Sequence, residues 1–505
     1  MILFRRRSPW PDRPIRRRRR LSPSARLSDA TLDRVPPGVA RPAYDRAGVT
    51  IGVVHLGPGA FHRAHQAAYV ERLLARDPRW GICAVSLKSP GVREALAPQD
   101  GLYTLVELDA EPSLRMIGAL KEILVAAEDA ERVLSRLASP QTGLVTLTVT
   151  EKGYRLGADG RLDLAHPDIV HDRAKPPVPA SAVGWLVEGL RRRRHQGGEL
   201  SILSCDNLVG NGRKLAAAVL ALAEAQGEPD LAAWIERNVA FPNSMVDSIT
   251  PATDEALREQ VRERLGLADA WPVQRERFTQ WVVEDRLKAN APDLAAVGVQ
   301  LTADVRPFEQ AKLRLLNGAH SSLAYLGALM GLDSVAEATA EPRLAGFVES
   351  LMRRDIAPSL APPAEFDLDL YVTAILQRFR NPAIRHRLSQ IAWDGSQKVP
   401  VRLLGTIEDA LRSHRPVGRL SVPVAAWMAF VVGRARAGAD LVDPMAEDLT
   451  ALGAAVGEAP EAAVARFLEL ETVFPRALAR APAFRAAVTA AYAALARGEF
   501  PLAQD

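Results

Sequence analysis

Cysteine is nearly missing from this sequence: 505 residues contain two, Cys83 and Cys205. They form no CxxC pair, which excludes a disulfide scaffold and a cysteine-based zinc site and suits a reducing compartment. A cytoplasmic location is therefore expected. Long apolar runs are missing too. No stretch of about 18 or more uncharged apolar residues occurs, so no membrane span is expected. The N-terminus lacks the apolar h-region of a secretory signal. No internal repeat is visible, and no His/Cys ligand spacing suggests a metal.

Positive charge looks abundant but is confined to one place. The pI is ≈ 9.1. "MILFRRRSPWPDRPIRRRRR" alone holds nine arginines and one aspartate, whereas the whole chain is only +4. Residues 21–505 therefore carry net negative charge, and the basicity belongs to a tail. A segment so rich in Arg and Pro cannot build a core and reads as disordered. Three readings of it stand: polyanion binding, organelle targeting, or an upstream extension without a role. Nucleic acid is not an expected partner of the body; only this tail has the charge to bind it.

What is present is a globular composition, 48% hydrophobic and 25% charged, in a chain too long for one core. Val49 to Leu56 is a β-branched-rich run, followed by Gly57-Pro58-Gly59 and then by apolar residues at helical spacing from Ala64 to Leu74. Strand-like runs recur at 80–87, 143–154 and 200–212, the last two ending in polar turns. "LYTLVEL", "LRMIGAL" and a helix around 126–138 lie between them. Strands alternating with helices predict a parallel sheet covered on both faces. From about residue 304, Ala/Leu/Arg-rich helical periods dominate: 310–330, 335–355, 368–378, 401–413, 420–438, 444–455, 460–470 and 480–497. The expected fold class is α/β, with an N-terminal Rossmann-type parallel-sheet domain and a mostly α-helical C-terminal domain. The expected boundaries are 1–39 for the disordered tail, 40–303 for the dinucleotide-binding domain and 304–505 for the helical substrate domain.

"HLGPGAFHRAH" places a glycine pair between strand and helix. Such a pair lets the backbone approach a pyrophosphate at a helix N-terminus. The third glycine of the usual GxGxxG fingerprint is absent, since position 62 is His. A structural turn is the competing reading. After the second strand, where an acid would bond the adenosine ribose, stands "SLKSPGVRE", with no acid until Glu94. Lys88 is either a partner for a 2′-phosphate or a surface lysine. Two later loops offer strand-end polar groups: Asp206, Asn207 and Asn211 in "SCDNLVGNG", and Asn243 and Asp247 in "FPNSMVDSITPATD".

"KLRLLNGAHS", 312–321, mixes an ammonium, an amide and an imidazole with leucines. On a regular α-helix Lys312, His320 and Asn317 stand at about 0°, 80° and 140° around the axis, one broad flank shared with Leu313 and Leu316. A satisfied polar patch at a domain seam and a catalytic face are both compatible with that. Chemically the set is coherent. A lysine whose burial lowers its pKa can act as a base near neutral pH, an amide can steady an alkoxide, and an imidazole can orient a hydroxyl.

Taken together, "GPGAFHRAHQ", "TLTVTEKGY", "SCDNLVGNG", "FPNSMVDSITPAT", "FEQAKLRLLNGAHS" and "DGSQKVPVRLL" resemble, in order, the polyol-specific long-chain dehydrogenases, the mannitol dehydrogenase family. The resemblance implies an N-terminal Rossmann-type domain, a helical C-terminal domain and an active site between them. It implies Lys312 as general acid/base, Asn207 and Asn317 as the pair that polarises the carbonyl, and His320 as a substrate-orienting group. Glu309 would control a proton or water path, and Asp247 would contact substrate hydroxyls. The cofactor side would be Gly57, Pro58, Gly59, Ala60 and Phe61, with Thr148 and Glu151. NAD is the implied cofactor, with NADP open, and the partner is a small sugar acid or polyol.

"NPAIRHRLSQIAWDGSQKVPVRLLG" resembles the uronate branch of that family, the fructuronate reductases. Mannitol enzymes carry an Arg near where this chain has Ser389-Gln390, so a plain polyol substrate is in question. A uronate carboxylate needs a cation: Arg387 and Lys398 are the candidates, Arg385 a weaker one. D-Mannonate/D-fructuronate interconversion is the expected reaction, with mannitol or tagaturonate chemistry as the alternative.

Overall fold

The computed structural model describes residues 25–364, 366–384 and 386–502. The chain divides into two compact units between Arg306 and Pro307. Among the described residues no helix is long and apolar enough to cross a membrane.

The described residues of the first unit form twelve strands: β1 Ile51–Leu56, β2 Gly81–Ser86, β3 Tyr103–Leu108, β4 Ser113–Ile117, β5 Leu120–Val125, β6 Leu144–Leu147, β7 Leu200–Ser204, β8 Val239–Ala240, β9 Ser244–Asp247, β10 Val273–Glu276, β11 Gln280–Glu284 and β12 Gln300–Thr302. Six of them form a sheet in the order β5-β2-β1-β6-β7-β8. Every pairing in it is parallel. Because the order reverses at β1, the carboxyl ends of β1 and β6 flank the switch point where such sheets bind ligands.

These strands are apolar almost throughout because both faces are covered. Alternation then decides which core each side chain enters. Val54, Leu56, Cys83, Val85, Val145 and Leu147 join Trp185 and Leu186 on one face. Val53, Ile82, Ala84 and Leu144 meet Ala67, Val70 and Leu73 on the other. The two cysteines are buried and free. The two smaller sheets, β10-β3-β4 and β12-β11-β9, were not foreseen. Within "LRMIGAL", β4 ends at Ile117 and β5 begins at Leu120, with Gly118 and Ala119 between them.

The tail expectation is corrected for residues 25–39. Residues 1–24 lie outside the described residues, but Leu27 is fully buried and Val35 nearly so. Arg26 pairs with Ala268, Ala40 with Arg115, and the Asp29 N–H donates to Asp100 Oδ2 at 3.0 Å. The Arg/Pro-dominated composition hid two apolar anchors.

The second unit is helical. Its longest helix, Gly418–Arg436, runs through the core and packs on Pro482–Ala496 and Gly318–Leu329. The expected period 335–355 is broken at Glu341, whose carboxylate caps the helix Pro342–Ser350 at the Leu344 N–H. Among the described residues three stretches are π-helical: Lys312–Asn317, Leu351–Ile356 and Pro400–Leu404.

Candidate active site

In the first unit the site grows from the end of β1. Gly57 has φ 89, a conformation that favours glycine, and a Cβ there would lie 2.3 Å from the Thr148 carbonyl oxygen. Gly59 is different: the nearest atom to its Cβ position is 3.9 Å away, so the backbone is open to close approach. Helix Ala60–Ala64 starts there, and its first N–H groups have no intrahelical acceptor. One glycine fits the sheet, the other leaves room for a pyrophosphate, and the donor set suits an anion. Gly57, Pro58, Gly59, Ala60 and Phe61 therefore fit a dinucleotide.

The missing third glycine has a physical counterpart. His62 is fully buried and stacks on His55 of β1, with ring centroids 3.3 Å apart and planes 13° from parallel. Close helix–strand packing is achieved here by a ring pair. His55 Nδ1 pairs with Thr146 Oγ1 at 2.7 Å, and its Nε2 lies 3.0 Å from Thr148 Oγ1. Thr148 Oγ1 in turn donates to the Gly57 carbonyl at 2.7 Å. Burial drives the His55 pKa down to about 3, with the Gly57 carbonyl opposing it. Burial, followed by His55, Arg63 and His65, also holds His62 neutral. The braced imidazoles lock β1 to β6 beneath the glycine turn.

Beyond β6 the expected long strand stops, and the reason is Thr150. Its φ of 66 and ψ of 161 lie in a region other residues leave to glycine. Asp206, just after β7, holds it there by accepting from the N–H groups of Val149 (3.1 Å) and Thr150 (2.8 Å) and from the Tyr154 hydroxyl (2.5 Å). Burial raises the Asp206 pKa, and those three donors oppose it. Glu151 lies on the next turn; partial desolvation raises its pKa, and the Asp206 charge adds to it. Asn207 follows Asp206 and is exposed. Asp206 is thus a clamp rather than a ligand group, and sequence reasoning missed Thr150 because strain has no compositional signature.

Asn211 and Asn243 prove structural. Asn211 Nδ2 donates to the carbonyls of Ser204 (3.1 Å) and Ser244 (2.8 Å), and Asn243 donates to Glu284 at 2.6 Å. These bonds tie β9 to the end of β7. Asp247, the last residue of β9, is buried against β11. Lys88 is exposed beyond the end of β2.

In the second unit, Lys312 and Asn317 bound the first π turn, where the Gly318 N–H reaches back five residues to the Leu313 carbonyl. This changes the expected angles. A π turn advances about 80° per residue, so Asn317 falls about 40° from Lys312, and three α-helical steps return His320 to about −20°. The three polar groups thus span about 60° instead of the 140° of a regular helix. Glu309, three residues before Lys312, is its neighbour on the helix surface. Lys312 and Asn317 are half-buried. His320 is 6% exposed, lies 4.5 Å from the Phe379 ring and 4.9 Å from His386, and its Nε2 has no hydrogen-bond partner among the described residues. Burial, then the His386, Arg378 and Arg402 charges, keeps it neutral.

The cation candidates separate. Arg387 is exposed at the start of helix Leu388–Ile391. Lys398 is half-buried; its ammonium donates to the Ile391 carbonyl at 3.4 Å and lies 3.7 Å from Asp394. Arg385 lies outside the described residues. Arg402, not singled out from the sequence, sits on the π turn Pro400–Leu404 and donates to Ser321 Oγ at 3.1 Å. The available signal was its place four residues after Lys398, an i, i+4 pair of like charges that costs stability without an anion.

Comparison with known proteins decides the family. The mannitol dehydrogenase Rossmann domain matches residues 51–296, and the mannitol dehydrogenase C-terminal domain matches residues 304–496. The chain belongs to the mannitol dehydrogenase family. It is a family of oxidoreductases, and this member's first unit is its Rossmann-type domain. D-Mannonate oxidoreductase of Escherichia coli is 44% identical over 90% of this chain and 95% of the relative. A mannitol 2-dehydrogenase of Cereibacter sphaeroides is 40% identical over 82% and 87%. Among solved structures, Pseudomonas fluorescens mannitol 2-dehydrogenase, a ternary complex with NAD and D-mannitol, superposes with a TM-score of 0.79 at 37% identity, covering 93% of this chain and 96% of that one.

Proposed function

We propose that the protein is an NAD-dependent oxidoreductase that interconverts D-mannonate and D-fructuronate. The observation that carries this reading is the π turn, which gathers an amine, a carboxamide and a neutral imidazole on one narrow face. A nicotinamide held there would supply or accept the hydride. The chain's own groups manage the oxygen. In reduction, Lys312 delivers its proton to the nascent alkoxide; in oxidation its neutral amine removes the hydroxyl proton. Asn317, with Asn207 as the second amide, donates N–H to that oxygen and lowers the cost of its charge without titrating. Together they take the part that a Lewis acid plays in metal-dependent dehydrogenases.

His320 orients the adjacent hydroxyl, Asp247 accepts from another, and Glu309 passes the Lys312 proton to water. Gly57, Pro58, Gly59, Ala60 and Phe61, with Thr148 and Glu151, receive the dinucleotide. The sugar acid is favoured by the similarity to a D-mannonate oxidoreductase across nearly the whole length of both chains. The similarity to mannitol 2-dehydrogenases supports a second reading, a polyol such as D-mannitol. Two free buried thiols suit a cytoplasmic enzyme.

The test is an oxidation panel of D-mannonate, D-altronate, D-mannitol and D-arabinitol, each with NAD and with NADP. D-Mannonate with NAD is expected to give the highest kcat/KM. A polyol ahead of both acids would overturn the sugar-acid assignment.

A further inference from the structure

The second unit gathers positive charge beside His320 and His386. Arg402 and Lys398 are half-buried; the Arg402 charge bears on both imidazoles, His320 and His386, and that of Lys398 on His386. The carboxylate beside Lys398 is that of Asp394, itself about half exposed. Arg402 has no ion pair among the described residues, and taking a cation out of water without one is costly, so an anion at its guanidinium is favoured. Burial, and then the Arg402 charge, lowers the Lys398 pKa; burial is also the main force lowering that of Arg402.

The donor geometry is specific. Arg402 Nη1 is engaged by Ser321 Oγ, which fixes the guanidinium plane. The Nε–Nη2 edge has no protein hydrogen bond among the described residues. A guanidinium edge offers two parallel N–H donors matched to the two oxygens of a carboxylate. Around it, buried polar atoms also lack hydrogen-bond partners among the described residues: His320 Nε2, His386 Nδ1 and the Tyr325 hydroxyl. The backbone places this edge beside the catalytic face. A Cβ on Gly318 would meet the Arg402 carbonyl at 3.1 Å, and Ser321 directly follows His320.

We propose that Arg402, supported by Lys398, is the anchor for the substrate's carboxylate, and that it sets the preference for a sugar acid over the polyol of the same length. This rests on the reading of the protein as a dehydrogenase of D-mannonate. It moves the carboxylate contact from the exposed Arg387 to a residue four positions after Lys398. Arg402 is a specificity residue and touches no reacting atom, so its loss acts on KM rather than on kcat.

The test compares D-mannonate and D-mannitol oxidation by wild type, Arg402→Gln and Arg402→Lys. Wild type is expected to favour D-mannonate. Arg402→Gln is expected to raise KM for D-mannonate by roughly thirtyfold or more, as loss of a charged bidentate partner does, with kcat and KM for D-mannitol within about threefold. Arg402→Lys restores the charge without the fork and should recover only part of the loss; if the glutamine variant is insoluble, a KM rise of about fivefold in the lysine variant reads the same contact. A wild type that prefers D-mannonate and keeps that preference in both variants overturns the anchor alone. A wild type that oxidises D-mannitol as well as D-mannonate overturns the anchor and the sugar-acid reading together.

Discussion

Thr150→Gly is expected to make the protein more stable while impairing it. Thr150 is a β-branched residue at φ 66 and ψ 161. A non-glycine residue in such a region costs about 1–3 kcal/mol. Replacement by glycine removes that cost but adds about 0.5–1 kcal/mol of chain entropy to lose on folding. The exposed Thr150 side chain forfeits little packing. The net expectation is a gain of about 0.5–2 kcal/mol, read as a higher urea midpoint at unchanged slope. The same substitution frees the segment that Asp206 pins between β6 and the turn at Glu151, so NADH should bind more weakly in a fluorescence titration. A lower urea midpoint would refute the strain, and unchanged NADH affinity would refute its link to the cofactor turn.

Gly57→Ala should have the opposite effect on stability. Its Cβ would press on the Thr148 carbonyl at 2.3 Å with φ 89 unrelieved, for a loss of about 2 kcal/mol or more in urea unfolding; a loss below about 0.5 kcal/mol would contradict the geometry. His55 titrates near 6.5 unfolded but only at about 3 folded. The unfolded chain therefore binds the extra proton between those values, and stability is present above pH 6.5 and lost as pH falls. Glu71, raised to about 7 by burial, works in the opposite sense, so the comparison must be with a variant. Relative to wild type, His55→Gln should fare about 2 kcal/mol better at pH 5 than at pH 7.5. Equal differences at the two pH values would rule out a neutral buried His55.

The parallel sheet was legible because its strands are short, β-branched and separated by glycine or Asx turns, and β1, β2 and β7 lie within the runs that suggested them. The helical unit was legible from 3.6-residue periodicity, down to 482–496 at its end. What escaped was set by single residues or by long-range pairing. β9, β10 and β12 are three or four residues long and take their identity from partners far away in sequence. Leu27 and Val35 anchor a segment whose composition suggests disorder. The polar trio was visible at Lys312, Asn317 and His320, but its convergence was not, since a π turn inserts one residue per turn without an apparent sequence mark. Arg402 was hidden within a quoted motif, because its role depends on which neighbours fail to neutralise it.

The most direct test of the account is the turnover of Lys312→Ala with D-fructuronate and NADH at saturation, alongside NADH binding. If the amine moves the proton, kcat falls by about a hundredfold or more while NADH affinity stays within about threefold of wild type. A fall in kcat of less than about threefold, with the cofactor still bound, would contradict the account.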